Sequence, residues 1–455
     1  MPECNVTNRT IFCTDNLDVL RGINSECIDL IYLDPPFNKN KKFTAPIGSH
    51  AEGASFKDIF REEDVKKDWL QTIKEDNLDV YQYLHGVKGV GKPYNFVYLA
   101  YMAIRLIECF RVLKRTGSIY LHCDPTMSHY LKTTMDCIFG EENFRNEIVW
   151  CYRTGGQTKR QYGKKHDILL FYNRDHRVAV FNVSKEKSYL TGQLKHSPNK
   201  LTYTDEWGTY QEVLFSKTNI KLYRDNAGYF TLVNRRDYWT NIDAVGRTSR
   251  ERTGYPAQKP IALLERIIQA STNEDGVVLD PFCGCATTCV ASERLRRKWI
   301  GIDISKQAYN QVKNRLLKEK KFTEESDNQQ KPDNTEITLQ TEPLQRNDQG
   351  EHYREQKYVY VISNRNCPGE FKVGIAKDVK LRLNAFQTSD PKRQFQLRHS
   401  LKTPWYREIE THIYKKFPNK HEWVSGKLEN IVSEIENFQP SHHDGGNLFP
   451  DLRLV

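Results

Sequence analysis

The chain has 455 residues, more than one typical domain needs, so two or three domains are expected. Lys and Arg number 68 against 58 Asp and Glu, a formal charge of +10, a balance that suits a polyanionic partner such as nucleic acid and suits plain solubility equally. No stretch reaches the roughly 18 to 20 apolar residues that span a bilayer, MPECNVTNRT is no signal peptide, and eleven scattered cysteines fit reduced thiols, so a cytoplasmic protein without membrane contact is expected.

From the N-terminus to about residue 316, short β-rich runs alternate with amphipathic helical stretches, the pattern of a mostly parallel α/β sheet. The strand candidates are RTIFCTDN, IDLIYLDPP, GSIYLHCDP, DILLFYN, GVVLDPF and KWIGIDIS, most ending in an acid or a turn. Polar groups thus gather at strand ends, where open α/β sheets bind ligands. GVKGVGKP at 86–93 nearly spells a phosphate loop, but Pro93 stands where a metal-liganding hydroxyl belongs and no strand precedes it, so it reads as a plain loop. Between 176 and 250 the sequence turns polar and aromatic without a clear period, an insert with its own role. Residues 318–356 carry hardly any apolar side chains and read as a flexible linker. Order returns at YVYVISN, in a small basic domain over 357–440, and 441–455 reads as a loose tail whose His442-His443-Asp444 run is solvated.

Two stretches carry chemistry. In VVLDPFCGCATTCVASERL a β run ends at Asp280, a glycine-bearing turn follows and a helix begins near Thr287, a turn whose backbone N–H groups can approach a ligand closely. About twenty residues on, KWIGID ends in Asp303, placed to accept from both hydroxyls of a ribose. Cys283, Cys285 and Cys289 lack the paired spacing of a zinc site. Far upstream, Asp34-Pro35-Pro36-Phe37 follows a strand; alone it would be a strand-terminating turn.

With YPAQKP at 255–260 between them, these motifs resemble a DNA amino-methyltransferase of the permuted β order, in which the DPPF half precedes the cofactor half. TDNLDVL, LHCDP, FGEENFRNEIVW and KHDILLFYN also match, and the resemblance covers about residues 10–316. It implies a Rossmann-like, doubly wound α/β domain over 1–317, with 176–250 as its target-recognition insert, acting on double-stranded DNA with S-adenosyl-L-methionine, and it allows a homodimer. It assigns catalysis to Asp34, Pro35, Pro36 and Phe37, and cofactor binding to Asp15, Lys259, Pro260, Asp280, Phe282, Gly284, Thr287 and Asp303. Asp15 could equally be a helix N-cap, and Asn38 and Lys39 either touch DNA or form a solvated loop.

The stiffness of DPPF follows from that chemistry. An exocyclic amine is a poor nucleophile because its lone pair is delocalised into the ring. The Asp34 carboxylate and the Pro35 carbonyl can hold its two N–H bonds and turn the lone pair toward a methyl donor, in a geometry the prolines pre-set. Phe37 offers a flat face for a base swung out of the duplex. By resemblance, aspartate rather than serine at the first position favours adenine-N6 over cytosine-N4. The family pattern Gly-Ser-Gly-Thr-Thr is replaced by Gly284-Cys285-Ala286-Thr287-Thr288, and alanine resists positive φ.

In the second domain, Tyr358-Val359-Tyr360, Lys372-Val373-Gly374, Arg382 on a helix opening at Asp378, Glu410 and EWV at 422–424 resemble the GIY-YIG nuclease superfamily, especially its phage-associated branch. The resemblance implies a small α+β domain in which Tyr360 or Lys372 serves the attacking water, Arg382 clamps the phosphate and Glu410 holds one Mg2+. Tyr358 replaces a glycine, Lys372 a tyrosine, and Phe386 a tyrosine or histidine that could move a proton. A single-chain restriction-modification enzyme and a methyltransferase with a non-cleaving DNA-binding module both remain open, as does a reading of Arg382 and Glu410 as surface charges.

Overall fold

Each strand of the main sheet is explained by what covers it. The computed structural model describes residues 3–46, 49, 51–52, 55–153, 158–190, 195–215, 217–246, 248–305, 309–316, 336–347, 357–376, 378–390, 392, 394–403, 405–420 and 422–439. The expected tail, 441–455, lies outside them. The first compact unit runs from Met1 to Tyr353 and the second from Arg354 to Val455.

In the first unit, β1 (Thr10–Phe12), α1 (Asn16–Gly22) and β2 (Ile28–Leu33) lead to a hairpin of β3 (Lys41–Thr44) and β4 (Ser55–Asp58). Helices α2 (Lys67–Asp76), α3 (Leu78–Gly89) and α4 (Pro93–Val112) follow, then β5 (Leu113–Cys123), α5 (Ser128–Phe139), β6 (Phe144–Cys151) and β7 (His166–Asn173). After the small strands β8 (Lys185–Tyr189), β9 (Tyr203–Asp205), β10 (Gly208–Phe215), β11 (Thr218–Asp225) and β12 (Gly228–Asn234) come β13 (Tyr238–Trp239), α6 (Ile261–Ser271), β14 (Val277–Asp280), α7 (Thr287–Arg294), β15 (Lys298–Ile302) and β16 (Thr338–Gln340).

Nine strands form one sheet in the order β13-β6-β7-β5-β2-β14-β15-β1-β16, parallel except that β7 runs against β5 and β6. The alternating residues of β2 enter two separate cores. Ile28, Ile31 and Leu33 pack with α4 and α5 on one face, while Leu30 and Tyr32 pack with α6 and α7 on the other. A strand buried on both faces needs an unbroken apolar run, which IDLIYL nearly is. Each such side chain contributes about 1.5–3 kcal/mol, and a one-residue slip would exchange the two cores, so the register is firmly set. This is the doubly wound α/β architecture expected. Among the described residues no helix is long and apolar enough to cross a membrane.

Two stretches show more structure than their composition suggests. Residues 185–234, within the expected insert, form a five-stranded antiparallel sheet, β8-β12-β11-β10-β9. Its period was hidden because strands such as KEKSY carry polar residues on both faces. The insert then returns to the main sheet, where Trp239 of β13 is buried. The expected linker is also interrupted. Thr338, Leu339 and Gln340 pair in parallel with Thr10, Ile11 and Phe12, and Asn24 Nδ2 donates to Asn347 Oδ1 at 2.6 Å. Backbone pairing and amide clasps require no apolar side chains, so composition could not reveal this edge strand. The rest of the proposed linker, 318–335 and 348–356, lies outside the described residues.

The second unit is α+β. Strands β17 (Lys357–Asn364), β18 (Glu370–Ala376), β19 (Phe395–Thr403), β20 (Asn419–Lys420) and β21 (Trp423–Ser425) form an antiparallel sheet in the order β19-β17-β18-β21-β20. Val359, Val361 and Val373 pack against Ile409 and Ile413 of the helix Tyr406–Lys416 and Ile431 and Ile435 of the helix Leu428–Glu436.

A Cβ on Gly22 would lie 2.0 Å from the Leu344 carbonyl oxygen. Alanine normally improves a helix by about 1 kcal/mol over glycine. Here Gly22→Ala is expected instead to destabilise by about 1–3 kcal/mol and to open Thr338–Gln340 to amide exchange; a more stable variant with that strand still protected would contradict this packing.

Candidate active site

Strands β2 and β14 lie side by side, with Val278 opposite Leu30 and Leu279 opposite Ile31. Both run the same way and both end in an acid followed by proline, so Asp34 and Asp280 emerge at one edge, with Asp303 beyond β15. A cavity of about 600 Å³ opens there. Asp15, Asp34, Pro35, Pro36, Phe37, Lys259, Asp280, Phe282, Gly284, Thr287 and Asp303 all line it. Pro260 is not among the lining residues; it serves as the N-cap position of α6.

The turn after β14 is built for close approach. Gly284 has φ +48, and a Cβ there would lie 2.9 Å from the Tyr255 ring. Its N–H donates to Asp303 at 3.0 Å, while Ser305 N–H donates to the other Asp303 oxygen at 2.8 Å. Ala286, the departure from the family pattern, is fully buried and sits in the left-handed region at φ 58 and ψ 38. An L-residue is disfavoured there by about 1–2 kcal/mol. Asp280 is buried, which pushes its carboxyl up to about 7, with the charges of Asp34 and Asp303 acting in the same direction. Hydrogen bonds from Thr288 Oγ1 (2.5 Å) and Phe282 N (3.0 Å) offset part of that. Burial likewise raises Asp303. Cys283, Cys285 and Cys289 are buried free thiols, the first two flanking Gly284 in the cavity lining.

Asp15 is a helix N-cap that also faces the cavity. It caps α1, accepting from Leu17 N at 2.8 Å, and it lines the cavity with its carboxylate 3.0 and 3.3 Å from Arg105. A glycine-only cradle, a half-exposed carboxylate at the end of β1 and an acid at the end of β15 fit a nucleoside-bearing cofactor.

The sequence placed Lys259 with the cofactor residues, but its side chain goes elsewhere. Lys259 Nζ lies 2.7 and 2.6 Å from the two Asp34 oxygens and 5.2 Å from the centre of the Phe37 ring. Only the lysine's carbonyl meets the turn, accepting from Thr287 Oγ1 at 3.3 Å. Phe37 stacks on His122 at 5.8 Å. His122 is fully buried between Tyr32 OH, 2.8 Å from Nδ1, and Asp167, 3.2 Å from Nε2. Burial pushes the Asp167 carboxyl up, yet His122, the charge of Lys259 and the Tyr152 hydroxyl together hold it below the usual carboxylate range. The loop after DPPF is not freely solvated: Asp58 of β4 accepts from Asn38 N at 2.6 Å and Lys39 N at 3.0 Å. His122 and Asp167 lay in stretches the resemblance had marked, LHCDP and KHDILLFYN. Arg105 and Asp58 carried no signal, because their partners are 90 and 19–20 residues away.

In the second unit, Arg382 Nε donates to the buried Tyr360 hydroxyl at 3.3 Å. Lys372 pairs with Glu422 at 2.7 Å, and both Lys372 and Arg382 lie against the Phe386 ring, at 4.8 and 4.9 Å. Glu410 is half-buried and contributes to the field at Tyr360. Glu422, the partner of Lys372, was missed as a charge although EWV was noted. Among the described residues no group of three or more His, Cys, Asp or Glu could hold a metal ion.

The DNA methylase family model, of N6/N4 type, matches residues 28–314, well over half the chain. The chain belongs to the DNA methylase family. As a member it is an enzyme that methylates DNA. This DNA methylase is 25% identical over 309 residues to the type II methyltransferase M.HpaI of Haemophilus parainfluenzae, covering 68% of this chain and 74% of that one. It is 27% identical over 290 residues to type II methyltransferase M.BamHI of Bacillus amyloliquefaciens, covering 64% of this chain and only 53% of that one. It is 26% identical over 300 residues to the DNA adenine methyltransferase YhdJ of Escherichia coli K12, covering 66% and 79%. Over 357–443 the matching model is a T5orf172 domain, where the sequence reading expected a GIY-YIG-like one.

Replacing Ala286 by glycine should relieve more strain than it loses in methyl burial and stabilise the methylase by about 0.5–1 kcal/mol, measured by thermal unfolding. Because the Asp280 carboxyl titrates near 7 when folded and near 3.9 when unfolded, the folded state holds that proton more tightly. Stability from this group therefore rises as pH falls from above 7 toward 4. Asp280→Asn should flatten that part of the melting-temperature profile between pH 8 and 5; an unchanged slope would contradict the assignment.

Proposed function

We propose that this methylase transfers a methyl group from S-adenosyl-L-methionine to the exocyclic N6 of adenine in double-stranded DNA. The observation that carries the reading is one cavity shared by the Asp34 carboxylate, the Phe37 ring and the Gly284 turn. When bound, S-adenosyl-L-methionine supplies an electrophilic methyl on a sulfonium. The Gly284 turn, Thr287 at the start of α7, Phe282, Asp280, Asp303 and Asp15 would hold it. Asp34 and the Pro35 carbonyl accept the two N–H bonds of the target amine and aim its lone pair. Phe37, backed by His122, stacks the flipped base and excludes water from one of its faces. Adenine is favoured by the aspartate in the first motif position and by the activity named for YhdJ; cytosine-N4 is the alternative. Exposed Lys185, Lys217, Arg224 and Arg236 on the antiparallel insert suit contacts to phosphates and base edges in target recognition.

A second activity rests on the second unit. The Tyr360–Arg382 contact favours metal-dependent DNA cleavage, with Arg382 on the scissile phosphate and Glu410 holding Mg2+, as in a GIY-YIG nuclease. That would make the chain a single-chain restriction-modification enzyme. Lys372, paired with Glu422 and packed on Phe386, suits phosphate binding better than water activation.

Tritium from labelled S-adenosyl-L-methionine should enter DNA, and digestion should yield N6-methyladenine; label in RNA or protein alone, or N4-methylcytosine, would overturn the substrate assigned. Asp34→Ala should lower transfer at least about 100-fold with cofactor affinity kept within a few-fold. Unmethylated DNA incubated with Mg2+ should be cut by the native chain and not by Glu410→Ala; uncut DNA with the native chain leaves the module as a DNA-binding one.

A further inference from the structure

We infer that Lys259 is a positioning residue for the methyl acceptor: it fixes the plane of the Asp34 carboxylate toward the cavity, rather than binding the cofactor. The inference rests on the methyl-transfer reading above and adds a role for this lysine.

The geometry is two-pronged. Nζ is 2.7 and 2.6 Å from the two carboxylate oxygens, and the lysine is only 8% exposed, so the pair is closed off from water on the lysine's side. The arm that carries it is fixed. Thr287 Oγ1 donates to the Lys259 carbonyl, Gln258 accepts from Thr253 N at 2.8 Å and donates to Glu251 O at 2.7 Å, and Glu251 accepts from Ile261 N at 3.0 Å. The ammonium therefore stands at a set point beside the Phe37 ring, where a stacked base must bring its amine.

The charges around Asp34 explain the need. Asp280, on the adjacent strand, and Asp303 are both raised by burial, and Asp34 adds to the field at Asp280. The Tyr32 and Tyr255 hydroxyls and Asp167 line the same cavity. Lys39 is directed to Asp124 at 3.7 Å, and Arg105 to Asp15 at 3.0 Å. Among the described residues Lys259 is the cation paired with Asp34, in a cavity that Asp15, Asp58, Asp167, Asp280 and Asp303 also line. Without it the Asp34 carboxylate loses the two contacts that hold its plane, and its lone pairs no longer meet the target amine at a set angle. A carboxylate has about four acceptor positions; Lys259 takes two and leaves two for the base.

The test combines three measurements on the full-length protein. In single-turnover transfer at pH 7, Lys259→Met should lower the rate at least about 10-fold, with Lys259→Arg, which keeps a cation with donors for both oxygens, restoring most of it. A crystal structure of Lys259→Met should show the Asp34 carboxylate turned from the plane it holds in the native chain, with Phe37 in place. Calorimetry should give S-adenosyl-L-methionine affinities within about threefold of native. If Lys259→Met does not fold, Lys259→Gln, which keeps a donor and loses the charge, carries the same expectations. An Asp34 carboxylate in its native plane together with an unchanged transfer rate in the neutral variant would overturn the inference. So would a tenfold or greater loss of cofactor affinity, which would return Lys259 to the cofactor. Absence of any transfer by the native chain would instead refute the proposed function, and the crystal structure would still decide the role of Lys259.

Discussion

The parallel pairing of β2 with β14 is the constraint on which the rest depends. Two strands about 250 positions apart in the chain run side by side, each ends in Asp-Pro, and each is followed by a chain reversal that leaves its acid at the sheet edge. The two motifs bring complementary groups to one cavity: Asp34-Pro35-Pro36-Phe37 offers acceptors and a flat ring, and the Gly284 turn offers a cradle. The pairing is held by burial on both faces. Leu30 and Tyr32 belong to one core and Ile31 and Leu33 to the other, so a one-residue slip of the register that aligns the two motifs would exchange the cores.

The edge so formed is electrostatically crowded. Asp15, Asp34, Asp167, Asp280 and Asp303 share one cavity lining, and three of them are managed differently. Arg105 holds Asp15, Lys259 holds Asp34, and burial keeps the Asp280 carboxyl high, with its hydroxyl and amide partners offsetting only part of that. Ala286 adds backbone strain in the same turn. Strain and uncompensated charge of this kind collect where a site is shaped for a ligand rather than for stability. A bound sulfonium would supply positive charge to the acids that lack it.

Much of this was legible in the sequence because it lives in local patterns. IDLIYL before DPPF and VVLD before the glycine turn mark both the strands and the acids that end them. The main sheet strands came from apolar runs bounded by turns. What was illegible depends on contacts distant in the chain. Arg105 and Asp58 look like surface charges until α4 and the β3–β4 hairpin fold over the site. Lys259 lies in a recognisable motif, yet its side-chain direction is set by a loop whose partners, Thr253, Glu251 and Thr287, no pattern links to it. The strand at Thr338–Gln340 is held by backbone bonds, to which composition is blind, and the antiparallel insert hides its period because strands such as Lys185–Tyr189 carry polar residues on both faces.

The central claim is that donor and acceptor meet in one cavity at the end of β2 and β14. A crystal structure of the protein bound to an unreactive amine analogue of S-adenosyl-L-methionine and a DNA duplex carrying its target tests that most directly. The account predicts the analogue in the Gly284 turn and a flipped adenine on Phe37, its amine within hydrogen-bond distance of Asp34. A cofactor or base bound elsewhere, or an Asp34 turned away from the base, would contradict it.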